Sequence, residues 1–362
     1  MSQRITAFDH YEIYAGNARQ AAHFYRTAMG FRLAAYKGLE TGSRDKVSYI
    51  LEQGKVRLVV SSPLHEDSSI HEHLRRHGDG VKDVAFTVSD AEAAWKEALA
   101  RGAEPAAEPS TLEDEHGKVK LASIRTYGDT VHTFVERHGY KGSFLPGYQP
   151  WAPGGAEPPS AGLLHVDHIV GNVPEGDMED VASWYEKTLG FHRFWSVDDK
   201  DVSTEFSALR SIVVASENEA IKLPINEPAA GKRKSQIQEY LDYYHGPGVQ
   251  HIALSTSDII RTVSEMRERG VEFLYVPSSY YEGLRERMGP IDEDMEALAR
   301  LGILVDRDEH GYMLQIFTKP VQDRPTLFYE VIQRKGGRGF GKGNFKALFE
   351  SIEREQEKRG NL

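Results

Sequence analysis

His168, His251 and Glu330 are the residues of this chain best suited to chemistry. Each falls in a short alternating segment that reads as a strand. Alternation puts Leu164, Val166, His168 and Val170 on one face. It does the same for Val249, His251, Ala253 and Ser255, and for Phe328, Glu330 and Ile332. Each candidate is then the one ionisable group among its face neighbours, once per strand. A buried glutamate needs a cation or a proton to be tolerated, whereas a single histidine on an apolar face is more often a hydrogen-bonded core residue. Two histidines and one carboxylate form the facial set of non-haem Fe(II) oxygenases, which leaves room for a bidentate substrate and O₂. Zinc binds such a set too, and spacing alone leaves both metals open.

The elements that must position these residues are duplicated. Gly78-Asp79-Gly80-Val81-Lys82-Asp83-Val84-Ala85-Phe86 aligns with Gly246-Pro247-Gly248-Val249-Gln250-His251-Ile252-Ala253-Leu254, and Phe8-Asp9-His10 aligns with Val166-Asp167-His168. The set in the first copy is then His10, Asp83 and Glu136. Aspartate is a permissible ligand, but no metal is expected there, because that copy lacks the polar lining of the second. The lining candidates are Ser211, Asn226, Gln236 and Gln315, on segments that read as strands or tight turns. Neutral amides hold a phenolic group without adding charge. Phe317, Phe340 and Phe345 either sandwich a ring or fill the core.

Each copy reads as two rounds of strand, helix and further strands. The first runs from about Ile5 to Gly139, with helices started by Asn17 and Asp90. Tyr140 to Ala161 is proline-rich and reads as a linker, since proline sustains neither a helix nor an internal strand. The second copy is longer, with extra residues around Tyr281 to Leu301, where Ile291 to Met295 reads as a capped helix. A glycine-rich stretch from Gly336 leads to a helix capped by Asn344, with Phe345, Leu348, Phe349 and Ile352 on one face. That helix is either a lid or simply packed on its domain. The expected division is 1–139, 140–161, 162–335 and 336–362.

A length of 362 residues suits about two domains, and 40% hydrophobic with 27% charged residues is ordinary for a globular protein. A net charge of −11 argues against a nucleic-acid surface, and Lys232-Arg233-Lys234 is the tightest basic run. With no cysteine, thiolate metal sites, disulfides and cysteine nucleophiles are excluded. The polar stretch from Met1 to His10 does not read as a signal peptide, and no segment approaches the ~20 apolar residues of a membrane span. A cytoplasmic protein without a membrane partner is the expectation.

Several stretches resemble the 4-hydroxyphenylpyruvate dioxygenase family: Leu223-Pro224-Ile225-Asn226-Glu227-Pro228, Gly248 to Leu254, Leu314-Gln315-Ile316-Phe317-Thr318-Lys319-Pro320, Phe328-Tyr329-Glu330-Val331 and Gly339-Phe340-Gly341-Lys342-Gly343-Asn344-Phe345. The resemblance spans nearly the whole chain. It implies an α+β vicinal-oxygen-chelate fold, with paired βαβββ units forming an open barrel in each domain and one Fe(II) per chain, in the C-terminal domain. The iron ligands it implies are His168, His251 and Glu330. The substrate-side residues are Ser211, Asn226, Gln236, Gln250, Gln315, Phe317, Phe340 and Phe345. Alternation turns Gln250 away from the face of His251, which suits an indirect role in orienting that ligand. The implied reaction takes 4-hydroxyphenylpyruvate and O₂ to homogentisate and CO₂, in a homo-oligomer (dimer or tetramer). Hydroxymandelate synthase shares the fold, metal and substrate; Phe345 and Pro224-Ile225-Asn226 are the dioxygenase version. Extradiol ring cleavage and a non-catalytic binding protein are the other readings of this fold.

Overall fold

A computed structural model describes residues 4–151, 157–197, 208–229, 231 and 234–361. Pro153 of the proline-rich stretch and the pair Lys232-Arg233 lie outside them. The first half contains β1 (Ile5–Tyr14), α1 (Ala18–Thr27), β2 (Arg32–Lys37), β3 (Lys46–Gln53), β4 (Val56–Pro63), α2 (Ile70–His77) and β5 (Gly80–Val88). It continues with α3 (Ala91–Ala100), β6 (Pro105–Asp114), β7 (Gly117–Arg125), β8 (Val131–Glu136) and the short β9 (Gln149–Pro150). The second half contains β10 (Leu163–Asn172), α4 (Met178–Leu189), β11 (His192–Val197), β12 (Ala208–Ala215), β13 (Lys222–Ala229), α5 (Gln236–Tyr244) and β14 (Gly248–Thr256). After it come α6 (Ile259–Glu268), α7 (Leu284–Met288), α8 (Met295–Leu301), β15 (Leu304–Asp308), β16 (Gly311–Phe317), β17 (Phe328–Lys335) and α9 (Phe345–Lys358).

The two halves repeat one topology. The first sheet runs β6-β7-β8-β5-β1-β4-β3-β2, with β9 added at the edge, and the second runs β15-β16-β17-β14-β10-β13-β12-β11. Each half is therefore two βαβββ units joined through the antiparallel pair β1–β5 or β10–β14. Pro150 pairs only at the sheet edge, opposite Ala35, where a missing N–H is harmless. Asn17 and Asp90 cap α1 and α3 by accepting from Gln20 N and Ala93 N.

The structure corrects three sequence readings. Asp83 pairs beside Val131 and His251 beside Phe328, so the residue matching Glu330 is Thr133, not Glu136. Glu136 matches Gln333 instead: each accepts the first backbone N–H of a helix, from Ala91 (2.8 Å) and Ile259 (2.7 Å). Gln236 opens a helix, α5, with Ser235 as its cap, rather than lying in a strand or turn. The helix expected over Ile291 to Met295 begins at Met295, with Asp294 as its cap.

One main hydrophobic core draws on both halves, including Ile5, Phe31 and Phe86 from the first and Tyr185, Ile252 and Tyr329 from the second. Tyr329 packs edge-on against Tyr25 at 5.8 Å, and its hydroxyl lies 3.4 Å from that of Tyr11. α9 closes the open end of the second sheet. Phe349 is buried among Leu209, Ile237, Tyr240, Leu241 and Tyr244, and Leu348 sits with Phe317 and Phe328. Truncating a phenylalanine buried this way costs about 3–5 kcal/mol. Asn344 stands at the helix start, but its side chain makes no cap bond there; its Oδ1 lies 2.6 Å from the Tyr280 hydroxyl. Tyr280 belongs to the additional segment of the second half, which thereby braces the base of α9.

Candidate metal centre

The three candidates sit on three adjacent strands, β10, β14 and β17. His168 pairs with Ala253, and Ala253 pairs with Glu330. His251 lies two residues from Ala253, so all four side chains share one face. Their ligand atoms lie within 4.8 Å of one another, all buried, and among the described residues this is the one such group of three. Nε2 of His168 and of His251 lie 3.2 and 3.5 Å from Glu330 Oε2.

The strands are not regular at the site. Between Val166 and His168, β10 advances two residues while β14 advances one, and β14 does the converse between His251 and Val249. Such bulges re-aim side chains. The first places Asp167 Oδ1 2.7 Å from His168 Nδ1, and the second places Gln250 Oε1 2.9 Å from His251 Nδ1. Strict alternation, which turns Gln250 away, fails here for that reason. It fails also at Leu164, which is exposed.

Both Nδ1 acceptors fix the tautomer. A carboxylate and an amide oxygen cannot donate, so each Nδ1 carries a proton, and each ring when neutral keeps its Nε2 lone pair for a metal. Two such lone pairs and a carboxylate oxygen match a divalent cation. Neighbouring donors about 2.1 Å from one ion lie roughly 3 Å apart, close to the separations here. Arg334 supports the arrangement from behind, donating to both oxygens of Asp167 at 2.8 Å. Burial opposes ionisation of Asp167, but Arg334 and His168 hold its carboxyl well below the usual range. Burial likewise opposes charge on Glu330, and the two histidines outweigh it and lower its pKa. Burial disfavours the His168 cation but Glu330 outweighs it, whereas at His251 burial prevails and lowers the pKa.

A cavity of about 50 Å³ opens on the three groups beneath α9. Ser211, Asn226, Gln236, Gln250, Phe317, Phe340 and Phe345 all line it. Ser211 and Asn226 are cross-strand partners in β12 and β13. Gln315 is not in its lining: the side chain packs against Gly341, and its buried Oε1 has no hydrogen-bond partner among the described residues. Gly341 has φ +78°, and a Cβ there would meet Gln315 Oε1 at 2.4 Å, so only glycine fits. Phe328 stacks on His251 at 4.8 Å, and Phe340 meets His168 edge-on at 5.1 Å.

Sequence reasoning assigned no role to Phe328, Trp195, Asp167 and Arg334. The repeated Asp-His pair at Asp9-His10 and Asp167-His168 could have revealed the second pair's support. It also missed α2 and α5 as helices, although Ile237, Tyr240, Leu241 and Tyr244 have helical spacing. A larger cleft of about 610 Å³ lies between the halves beside Phe24, Val271 and Pro320, away from the triad.

In the first half, Asp83 stands where His251 does, and its oxygens accept from Thr133 N (3.1 Å) and Thr133 Oγ1. With threonine in the place of Glu330, that half lacks the third ligand.

Comparisons with known proteins agree with this fold. Residues 165–316 match the model of the Glyoxalase/Bleomycin resistance protein/Dioxygenase superfamily, and residues 3–146 match that of the hydroxyphenylpyruvate dioxygenase N-terminal region. The chain is 54% identical to 4-hydroxyphenylpyruvate dioxygenase of Yarrowia lipolytica, over 98% of this chain and 93% of that one. It is 56% identical to that of Danio rerio, over 98% and 92%. A solved structure of a triple mutant of 4-hydroxymandelate synthase from Streptomyces coelicolor superposes with a TM-score of 0.86 at 31% identity, covering 98% of this chain and 99% of that one. The chain therefore belongs to the 4-hydroxyphenylpyruvate dioxygenase family.

Proposed function

We propose that this chain binds one Fe(II) through His168, His251 and Glu330. With it, the chain converts 4-hydroxyphenylpyruvate and O₂ to homogentisate and CO₂. The observation that carries this reading is the buried His-His-Glu face on three adjacent strands, opening into an aromatic and amide-lined cavity. The chemistry Fe(II) supplies in such a set is a face of open positions for an α-keto acid and for O₂. The reaction balances without another reductant. One oxygen atom enters the new carboxylate as CO₂ leaves, and the other becomes a ring hydroxyl as the side chain moves to the neighbouring ring carbon.

The protein's share is placement. Asp167 and Gln250 hold both imidazoles with Nε2 turned inward. Phe317, Phe328, Phe340 and Phe345 wall the aromatic ring and exclude water. Ser211, Asn226 and Gln236 offer uncharged hydrogen bonds to the phenol. With α9 docked, the cavity is far smaller than the few hundred Å³ of usual ligand sites, so α9 and its aromatic side chains shift to admit substrate. A homo-oligomeric, cytoplasmic enzyme fits this reading, and no described helix is long and apolar enough to cross a membrane.

The test is anaerobic loading with Fe(II), addition of 4-hydroxyphenylpyruvate and then O₂, and separation of the products. Homogentisate with equimolar CO₂ is expected. Hydroxymandelate would keep the fold and ligands but overturn the product; absence of O₂ uptake would overturn the activity.

A further inference from the structure

The first half repeats the framework around the metal centre. His10 Nδ1 lies 2.7 Å from Asp9 Oδ1, and Arg137 donates to both Asp9 oxygens at 2.8 and 2.9 Å. Phe144 meets His10 edge-on at 5.1 Å, as Phe340 meets His168, and the Arg137 guanidinium lies 5.1 Å from the Phe144 ring. A separate cavity of about 230 Å³ opens on this framework, with His10, Asp83, Phe144 and Tyr148 among its walls.

Two features of this cavity point to a ligand. His10 is only 7% exposed, yet its Nε2 has no hydrogen-bond partner among the described residues. Since Nδ1–H donates to the Asp9 carboxylate, Nε2 of the neutral ring offers a lone pair. Asp83, 6% exposed, is hydrogen-bonded among the described residues only to the neutral Thr133 groups. A carboxylate has about four acceptor positions, so Asp83 retains capacity. The half-buried acid of the cavity, Glu12, is already matched by Lys46 at 3.1 Å. Burial pushes the Asp83 carboxyl up to about 6, against the opposing influence of His10 and Thr133.

We propose that this half-barrel is a second binding site, for a small organic ammonium. The ammonium donates to Asp83 and to His10 Nε2, and its apolar part lies against Phe144 and Tyr148. An ammonium is favoured over a metal ion because His10 and Asp83 lack a third ligand, while the walls are aromatic and the space exceeds that of one ion.

Benzylamine, protonated at neutral pH, is the probe, and uncharged benzyl alcohol is its control. Both are titrated calorimetrically into the full chain loaded with Fe(II). One benzylamine site per chain is expected, with benzyl alcohol at least about tenfold weaker, the scale of one charge-assisted hydrogen bond. Asp83→Asn should weaken benzylamine by a similar factor, and His251→Ala should leave it bound. Leu121→Trp, which fills the cavity from β7, should abolish binding if Asp83→Asn does not fold. Equal binding of the alcohol, benzylamine binding that survives both cavity substitutions, or no binding of benzylamine would each overturn the proposal.

Discussion

Gln250 Oε1 lies 2.9 Å from His251 Nδ1 only because β14 carries a bulge there. The amide fixes the His251 tautomer as Asp167 fixes that of His168. Replacing such a supporting group typically lowers metal affinity 10–100-fold. Gln250→Leu is expected to bind Fe(II) that much more weakly with its fold intact, measured by competition with a chelator. Unchanged affinity would mean that packing alone orients His251.

Glu330→Thr copies into the second sheet the residue that the first has at the matching position. It should leave only two imidazoles, abolishing Fe(II) retention after gel filtration and, with it, turnover. Retained activity would sink the ligand assignment.

Asp83→Asn should alter stability in a pH-dependent way. The native carboxyl titrates near 6 and the unfolded one near 3.8, so the native state binds the proton more tightly. Stability therefore falls as pH rises through about 4 to 6, and the full penalty remains above that window. At about pH 7.5 the asparagine variant should be the more stable, by on the order of 1–3 kcal/mol. At about pH 4 the gain should vanish. Urea melts at the two pH values decide it, and an equal gain at both would show that the carboxylate's charge is not responsible.

Phe345 lines the cavity from the first turn of α9, packing with Trp195 at 6.2 Å. Phe345→Ile removes a ring wall and should divert part of the product to hydroxymandelate while iron still binds. Chromatographic product ratios provide the check, and an unchanged ratio would remove α9 from the choice of reacting carbon.

The repeat and the three triad positions were legible because each leaves a local trace: a repeated Gly-x-Gly-Val segment, or one ionisable group in an apolar strand; the open-barrel fold came with the family resemblance. What was lost depends on pairing. Glu136 looked equivalent to Glu330 because both lie in strands near the end of a module, and only the register beside Asp83 identifies Thr133. Alternation misplaced Gln250 and Leu164 because a bulge resets the period without changing composition. Gln315 read as a lining residue because the sequence does not show that Gly341 lets the chain pass directly over it.

The core shared between the halves carries a thermodynamic consequence. Tyr329 follows directly in sequence the phenylalanine that stacks on His251 and precedes Glu330, yet its ring rests on Tyr25 of the other half. Opening either half exposes apolar surface on both, so the chain should melt in a single cooperative step rather than two. The first repeat is then not dispensable baggage. Its folding energy holds the strand that carries Glu330, and lesions far from the triad, around Tyr25 or Tyr11, should lower activity by depleting folded protein.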